Sequence, residues 1–124
     1  ILIIDYGYLD KSMKNTLQSV SNHKFSNVLG KIGAHDITYE INFFLFKKFL
    51  NQFSSLKNIL TTQREFLINM GIKERAENIS KNLNFLKKAD IFYRLNRLID
   101  NKQMGNLFKV LFIKNKKNKF NLGF

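Results

Sequence analysis

The chain opens on four consecutive aliphatic residues, Ile1 to Ile4, which run into Asp5-Tyr6-Gly7-Tyr8. An aliphatic run of this kind, closed by Asp and Gly, is the pattern of a parallel strand covered on both faces. Asp5 to Tyr8 then read as the turn at its carboxyl end. An inner strand needs neighbours on both sides and nothing precedes this one. The expectation is therefore the back portion of a larger α/β domain.

Residues 9–35 are polar and irregular, with Gly30 and Gly33 as hinge points, and predict a long loop of the kind that often carries function. Residues 37–41 alternate as a strand does, but Asp36 could equally cap a helix there, with Asn42 as a second possible cap. Phe43, Phe46, Phe49, Leu50 and Phe53 recur at helical spacing. Leu56 to Leu60 predict a short strand. Thr62-Gln63-Arg64-Glu65 is a capping box that opens a helix reaching Met70 and stopping at Gly71.

A further helix is expected from about Lys73 to Lys81, and a longer one from Phe85 to about Ile99. The longer one carries two apolar stripes, Phe85, Ala89, Phe92 and Ile99 on one side and Ile91, Leu95 and Leu98 on another. That pattern predicts packing on more than one face. Leu107 to Ile113 is apolar on both faces and predicts a second inner strand, with Lys109 reaching solvent by its long stem.

A chain of 124 residues makes one domain, not two. Its 44% hydrophobic content excludes wholesale disorder, yet no apolar run is long enough to span a bilayer, and no basic leader marks a signal peptide. The absence of cysteine removes disulfides and thiol chemistry and fits a cytoplasmic protein. The net charge of +12 could mean nucleic-acid binding. However, 17 of the 21 basic residues are Lys, spread along a chain rich in Asn, Ile and Phe and without Pro or Trp. A drift in composition explains that balance better than a nucleic-acid partner does. The one basic cluster, Lys114 to Lys119, reads as a frayed tail over 114–124, leaving 1–113 as the folded part.

Candidate chemistry is sparse. Asp5 and Tyr6 fall where open α/β sheets place ligands, beyond the carboxyl end of a strand, and Gly7 would allow a close backbone approach. A turn capped by Asp is the alternative. The histidines, His23 and His35, lie in the long loop, and either could pair with a distant carboxylate or be an ordinary surface residue. No metal-ligand spacing occurs, and neither a phosphate-cradling glycine loop nor a nucleophile elbow is present.

Four segments together resemble the carboxyl-terminal half of the MidA-type S-adenosylmethionine (SAM)-dependent methyltransferases. The first is Ile3-Ile4-Asp5-Tyr6-Gly7-Tyr8. The second joins Leu17-Gln18-Ser19-Val20 and His23-Lys24-Phe25 to Asp36-Ile37-Thr38. The third is Thr62-Gln63-Arg64-Glu65-Phe66-Leu67 with Gly71-Ile72 and Arg75-Ala76, and the fourth is Met104-Gly105-Asn106-Leu107-Phe108-Lys109-Val110-Leu111. The resemblance implies a class I, Rossmann-like methyltransferase sheet. Ile1–Ile4, Leu56–Leu60 and Leu107–Ile113 would be its fifth, sixth and antiparallel seventh strands, giving about three strands and three to four helices here.

The resemblance also implies SAM as cofactor and an arginine side chain of a protein as acceptor. The family's glycine-rich loop, ribose-binding acid and N-E-x-x-D-A-L-P segment belong to its amino-terminal half and are absent from this sequence. No residue here is thus assigned to cofactor binding. Asp5, Tyr6 and His23 stand as candidates for chemistry, and Asp36 and Thr38 for lining the substrate site. A missing amino-terminal half, or a second copy of the chain, is the implied partner. The competing reading is a small basic adaptor that binds a protein or nucleic acid and does no chemistry.

Overall fold

Two sheets and a run of helices make up the computed structural model, which describes residues 1–22, 24–30 and 33–124. His23, one of the candidates for chemistry, lies outside the described residues. In chain order the elements are β1 (Leu2–Tyr8), β2 (Gln18–Ser21), β3 (Lys24–Ser26), β4 (Asp36–Thr38) and β5 (Ile41–Asn42). Then follow α1 (Phe43–Leu50), β6 (Leu56–Thr62), α2 (Gln63–Asn69), α3 (Ile72–Ser80), α4 (Phe85–Ile99), α5 (Met104–Leu107) and β7 (Phe108–Asn115).

The larger sheet has the order β5-β1-β7-β6. β7 is the inner strand, antiparallel to both neighbours, with Ile3 opposite Leu111 on one side and Leu60 opposite Leu111 on the other. An inner, antiparallel last strand is what the apolar pattern and the resemblance predicted together. Residues paired across strands point to the same side, so Ile3, Leu60, Leu111 and Ile113 share one face. α1 covers that face with Phe43, Phe46 and Leu50, and Phe43 and Leu111 are wholly buried there.

The opposite face carries Leu2, Val110 and Phe112. Here the end of the chain corrects the expectation of a frayed tail. Phe124 stacks on Phe112 at 5.3 Å and also meets Phe66 of α2 at 5.2 Å, while Phe120 meets Phe112 edge-on at 5.8 Å. Lys114, read as part of a solvated cluster, is buried and donates from Nζ to the Phe120 carbonyl at 2.6 Å and to Asn121 Oδ1 at 2.5 Å. Burial, with Lys57 nearby, pulls its ammonium pKa down. Two aromatic rings hold the terminus more strongly than its lysines favour solvent.

β1 departs from the prediction twice. Asp5 to Tyr8 are not a turn but the second half of the strand, because Tyr6 pairs with Phe108 and Gly7 and Tyr8 pair in parallel with Ile41 and Asn42. Nor is the strand covered on both faces: Ile1 is 79% exposed and Ile4 49%. Among the described residues, β5 pairs only with the last two residues of β1, so the rest of that edge stands open.

The long loop is also not wholly irregular. Its residues, with 36–38, build a second sheet of order β3-β2-β4, antiparallel throughout. Residues 36–38 and 41–42 therefore form strands, and the cap is Asn42, not Asp36. Asn42 Oδ1 accepts from the Leu45 amide at 3.2 Å, and its Nδ2 donates to the Ser12 carbonyl at 3.1 Å, tying the segment after β1 to the start of α1. Asn42→Ala is expected to cost about 1–2 kcal/mol, read as a lower urea midpoint with an unchanged slope.

The capping box forms as its spacing predicted: Thr62 Oγ1 accepts from the Glu65 amide at 3.2 Å and Glu65 Oε2 accepts in return from the Thr62 amide at 3.4 Å. Thr61 Oγ1 also donates to Glu65 Oε2 at 2.6 Å, and this bond above all holds the carboxyl below its ordinary value of 4.5. Because the folded pKa is the lower one, the carboxylate's stabilisation is complete above that ordinary value. It disappears as pH falls through the folded value. Glu65→Gln should flatten the acid limb of a plot of thermal midpoint against pH, and an unaltered limb would remove Glu65 from that account.

α3 lies against α4, and Ile72, Ala76 and Ile79 face Ile91, Leu95 and Leu98 around a small apolar cavity of about 200 Å³. α4 thus uses one of its two stripes. Of the second, only Ile99 is buried; Phe85, Ala89 and Phe92 face solvent, against the expectation of packing on two faces.

Candidate functional site

β1, β5 and β6 run in one direction, so their carboxyl ends share one edge of the sheet. α1 starts from that edge directly after β5, and β7 enters the sheet there from α5. Open α/β sheets bind ligands outside the carboxyl ends of their strands. The elements that converge on this edge make it the candidate site.

Asp5 and Tyr6 reach the edge on β1. Asp5 Oδ1 accepts from the Tyr6 amide at 2.8 Å, and the Tyr6 ring meets Phe108 edge-on at 5.6 Å. Lys109 lies opposite Asp5 in the β1–β7 register. The sequence suggested that Lys109 reaches solvent; instead it is buried, and its Nζ donates to the Asn106 carbonyl at the end of α5. Burial pulls its ammonium pKa down, while the charge of Glu40 acts in the opposite direction. Sequence reasoning passed over Lys109 as a solubilising exception. The signal for it was a lone charge in a strand apolar on both faces.

Beside Tyr8 a cleft of about 460 Å³ opens between residues 13–17 and 39–42, with Lys14, Thr16, Glu40, Asn42 and Phe46 in its wall. Its two sides are stitched together. The Lys14 amide donates to the Tyr8 hydroxyl at 2.8 Å, and the Glu40 amide donates to Thr16 Oγ1 at 3.0 Å. Lys14 Nζ also sits 4.9 Å from the centre of the Tyr8 ring and 3.2 Å from Asp10 Oδ2. Asp10's carboxyl is held down mainly by the Ser12 amide, then by Lys14.

Asp36 and Thr38 are on β4 in the second sheet, paired with Val20 and Gln18, and Asp36 is exposed. Among the described residues no hydrogen bond joins either of them to Asp5 or Tyr6. His35 is anchored within the same small sheet. Its Nδ1 lies 3.1 Å from Ser26 Oγ, which is 2.9 Å from the buried Ser19 Oγ.

A cofactor cradle would present bare glycine backbone to a ligand. A Cβ on Gly7 would overlap the Ile41 carbonyl and lie 2.9 Å from the Phe43 ring. On Gly105 it would meet the Ile99 backbone at 2.5–2.6 Å, and on Gly123 the Phe66 ring at 2.5 Å. These three glycines serve contacts within the chain. Gly7 in particular admits a strand and an aromatic ring, not a ligand. Among the described residues no group of His, Asp or Glu could hold a metal ion, and no helix is long and apolar enough to cross a membrane.

Comparison with known proteins places this geometry. Residues 1–62 match the family described as "Putative S-adenosyl-L-methionine-dependent methyltransferase". The mitochondrial protein arginine methyltransferase NDUFAF7 of Danio rerio is 30% identical over 92% of the chain, and that of Xenopus tropicalis 30% identical over 87%. The chain spans only 26% and 25% of those two proteins. Two crystal structures from Burkholderia thailandensis, of one superfamily, superpose over 98% of the chain at 25% identity. One is an uncharacterized protein, with a TM-score of 0.74. The other, bound to S-adenosyl-homocysteine, gives 0.72. The chain covers 34% and 33% of them.

Proposed function

The chain belongs to the family of SAM-dependent methyltransferases matched by residues 1–62, and from that premise we propose that it works as the carboxyl-terminal part of such an enzyme. In this reading residues 1–113 complete a Rossmann-like sheet, and the cofactor is held by residues outside this sequence. The observation that carries it is β1, whose Leu2 and Ile4 side chains are half exposed and whose outer edge is paired only at Gly7 and Tyr8. An inner strand so exposed calls for a further strand and a covering layer. The glycine geometry supports the same division, since Gly7, Gly105 and Gly123 are filled by the chain's own atoms.

The residues here do not fit SAM by themselves, so no methyl-transfer step is derived through it. What they supply is the acceptor side of the edge. Asp5 keeps Oδ2 available to take a hydrogen bond from a polar nitrogen, Tyr6 walls the position, and Lys109 fixes the entry of β7 beside them. His23 remains a candidate by resemblance, and Asp36 and Thr38 remain candidates for reaching the same acceptor from the small sheet. A protein arginine side chain is the acceptor that the NDUFAF7 relatives suggest.

Translation of the DNA immediately upstream of the Ile1 codon tests this reading. A segment carrying a glycine-rich loop and an N-E-x-x-D-A-L-P pattern is expected, in the same or a neighbouring frame. If no such segment adjoins, the catalytic reading fails. Co-production with that segment should also raise the soluble yield of the chain by covering β1.

A further inference from the structure

The small sheet is joined to the larger one by chain rather than by packing. Residues 18–38 hold all three of its strands, and their hydrogen bonds stay within that stretch. β2 pairs with β3 and β4, Ser19 meets Ser26, Ser26 meets His35, and the Asn27 carbonyl accepts from the Gly30 amide. Among the described residues no hydrogen bond or ion pair ties 18–38 to the rest of the chain, and none of the three strands packs closely on another element. Two bodies move against each other by default unless an extensive apolar interface fixes their angle.

The chain crosses between the sheets twice, at 9–17 and at 39–40. These crossings form the two sides of the cleft beside Tyr8. One hydrogen bond stitches them to each other, from the Glu40 amide to Thr16 Oγ1 at 3.0 Å. Two more fasten the first crossing to the larger sheet: Asn42 Nδ2 donates to the Ser12 carbonyl at 3.1 Å, and the Lys14 amide donates to the Tyr8 hydroxyl at 2.8 Å. The cleft thus has the place of a hinge. A change in a few backbone angles along its walls displaces everything in 18–38.

The second crossing makes a short lever. Only Tyr39 and Glu40 separate β4 from β5, and β5 is paired with Gly7 and Tyr8. Rotation there carries Asp36 and Thr38 relative to Asp5 and Tyr6, which the larger sheet holds in place.

We propose that residues 18–38 form a hinged lobe, which swings on the walls of this cleft toward and away from the carboxyl edge of the larger sheet. The purpose of the swing rests on the methyltransferase reading: the lobe brings Asp36 and Thr38 to an acceptor at Asp5 and shuts water out around it. The hinge itself does not rest on that reading, since both crossings and all three stitches lie within the described residues.

The absence of cysteine allows spin labels at chosen positions of the full chain. Phe25→Cys on β3 with Lys48→Cys on α1 spans the hinge, and Lys48→Cys with Lys73→Cys on α3 lies outside the lobe. All three side chains are exposed. Pulsed electron paramagnetic resonance should give a distance distribution across the hinge roughly twofold wider, or more, than that of the second pair. Two substitutions each release one stitch. Asn42→Asp keeps the oxygen that caps α1 and loses the donor to Ser12, while Thr16→Val loses the hydroxyl that accepts from Glu40. Each should broaden the hinge-spanning distribution further and leave the other pair unaltered.

A hinge-spanning distribution as narrow as that of the second pair, and unmoved by both substitutions, would fix the small sheet to the larger one and overturn the proposal. Equal broadening of both pairs would overturn it too, because the substitutions would then loosen the whole fold and not a lobe. Neither result bears on the DNA upstream of Ile1, so the hinge and the methyltransferase reading fail separately.

Discussion

Phe43→Ala is expected to remove about 3–5 kcal/mol of folding stability. Phe43 is fully buried at the first turn of α1, where it packs with Leu50, Leu111 and Ile113 on the face of the sheet that carries the main core. Losing the ring forfeits its transfer energy and leaves a cavity between α1 and a sheet, two elements that cannot readily close together. Small domains have only about 5–15 kcal/mol to lose. With the β1 edge open, this chain should sit low in that range. Urea unfolding followed by circular dichroism should show the midpoint falling by roughly 1–3 M. Phe44→Ala, at an exposed neighbouring position, should move it little. Similar shifts in the two variants would place the core elsewhere.

Gly7→Ala has the second largest expected effect. The added Cβ would collide with the Ile41 carbonyl, which is main chain and cannot rotate away, and with the Phe43 ring at 2.9 Å. Relief requires β5 to move off β1, and β5 leads directly into the capped start of α1. Overpacking of this kind costs about 1–3 kcal/mol and more where backbone is the obstacle. The variant should lose amide protection at Ile41 and Asn42 in hydrogen exchange before it loses protection in β7. Unaltered exchange at those two amides would contradict the tight approach of β5 to Gly7.

The same residue shows where sequence reading reaches and where it stops. An Asp-Tyr-Gly-Tyr segment after an aliphatic run announces a strand end near a close approach. Which group makes the approach is a tertiary fact, and the visitor proved to be Ile41 with Phe43. β7 was legible because both of its faces are apolar over seven residues, a pattern that only an inner strand satisfies. α2 was legible because Thr62 and Glu65 stand at capping-box spacing. β2, β3 and β4 were not, since strands of three or four residues containing Ser, Lys and Asp carry too little apolar alternation to stand out from a loop. The docking of Phe120 and Phe124 was hidden behind the lysines that precede them.

At the candidate site, the sequence set Asp5 and Tyr6 beyond the end of a strand, whereas they lie within β1, which runs on to Tyr8 because β5 pairs with it. Lys109 could not be placed from sequence, because burial of a lysine depends on what packs around it. Asp36 and Thr38 entered by likeness of motif, and the fold sets them on β4 of the second sheet, a strand too short and polar to be read from sequence. The open edge of β1 lies between these cases: the sequence predicted a strand in need of neighbours, and the structure shows one edge paired only at Gly7 and Tyr8.

The central claim is that this chain is part of a SAM-dependent methyltransferase whose cofactor is held by residues outside its sequence. Isothermal titration of S-adenosyl-homocysteine into the folded 124-residue chain tests it most directly. The account predicts no saturable heat up to millimolar ligand. A one-to-one isotherm with micromolar affinity would mean that these residues bind the cofactor themselves, and would contradict it.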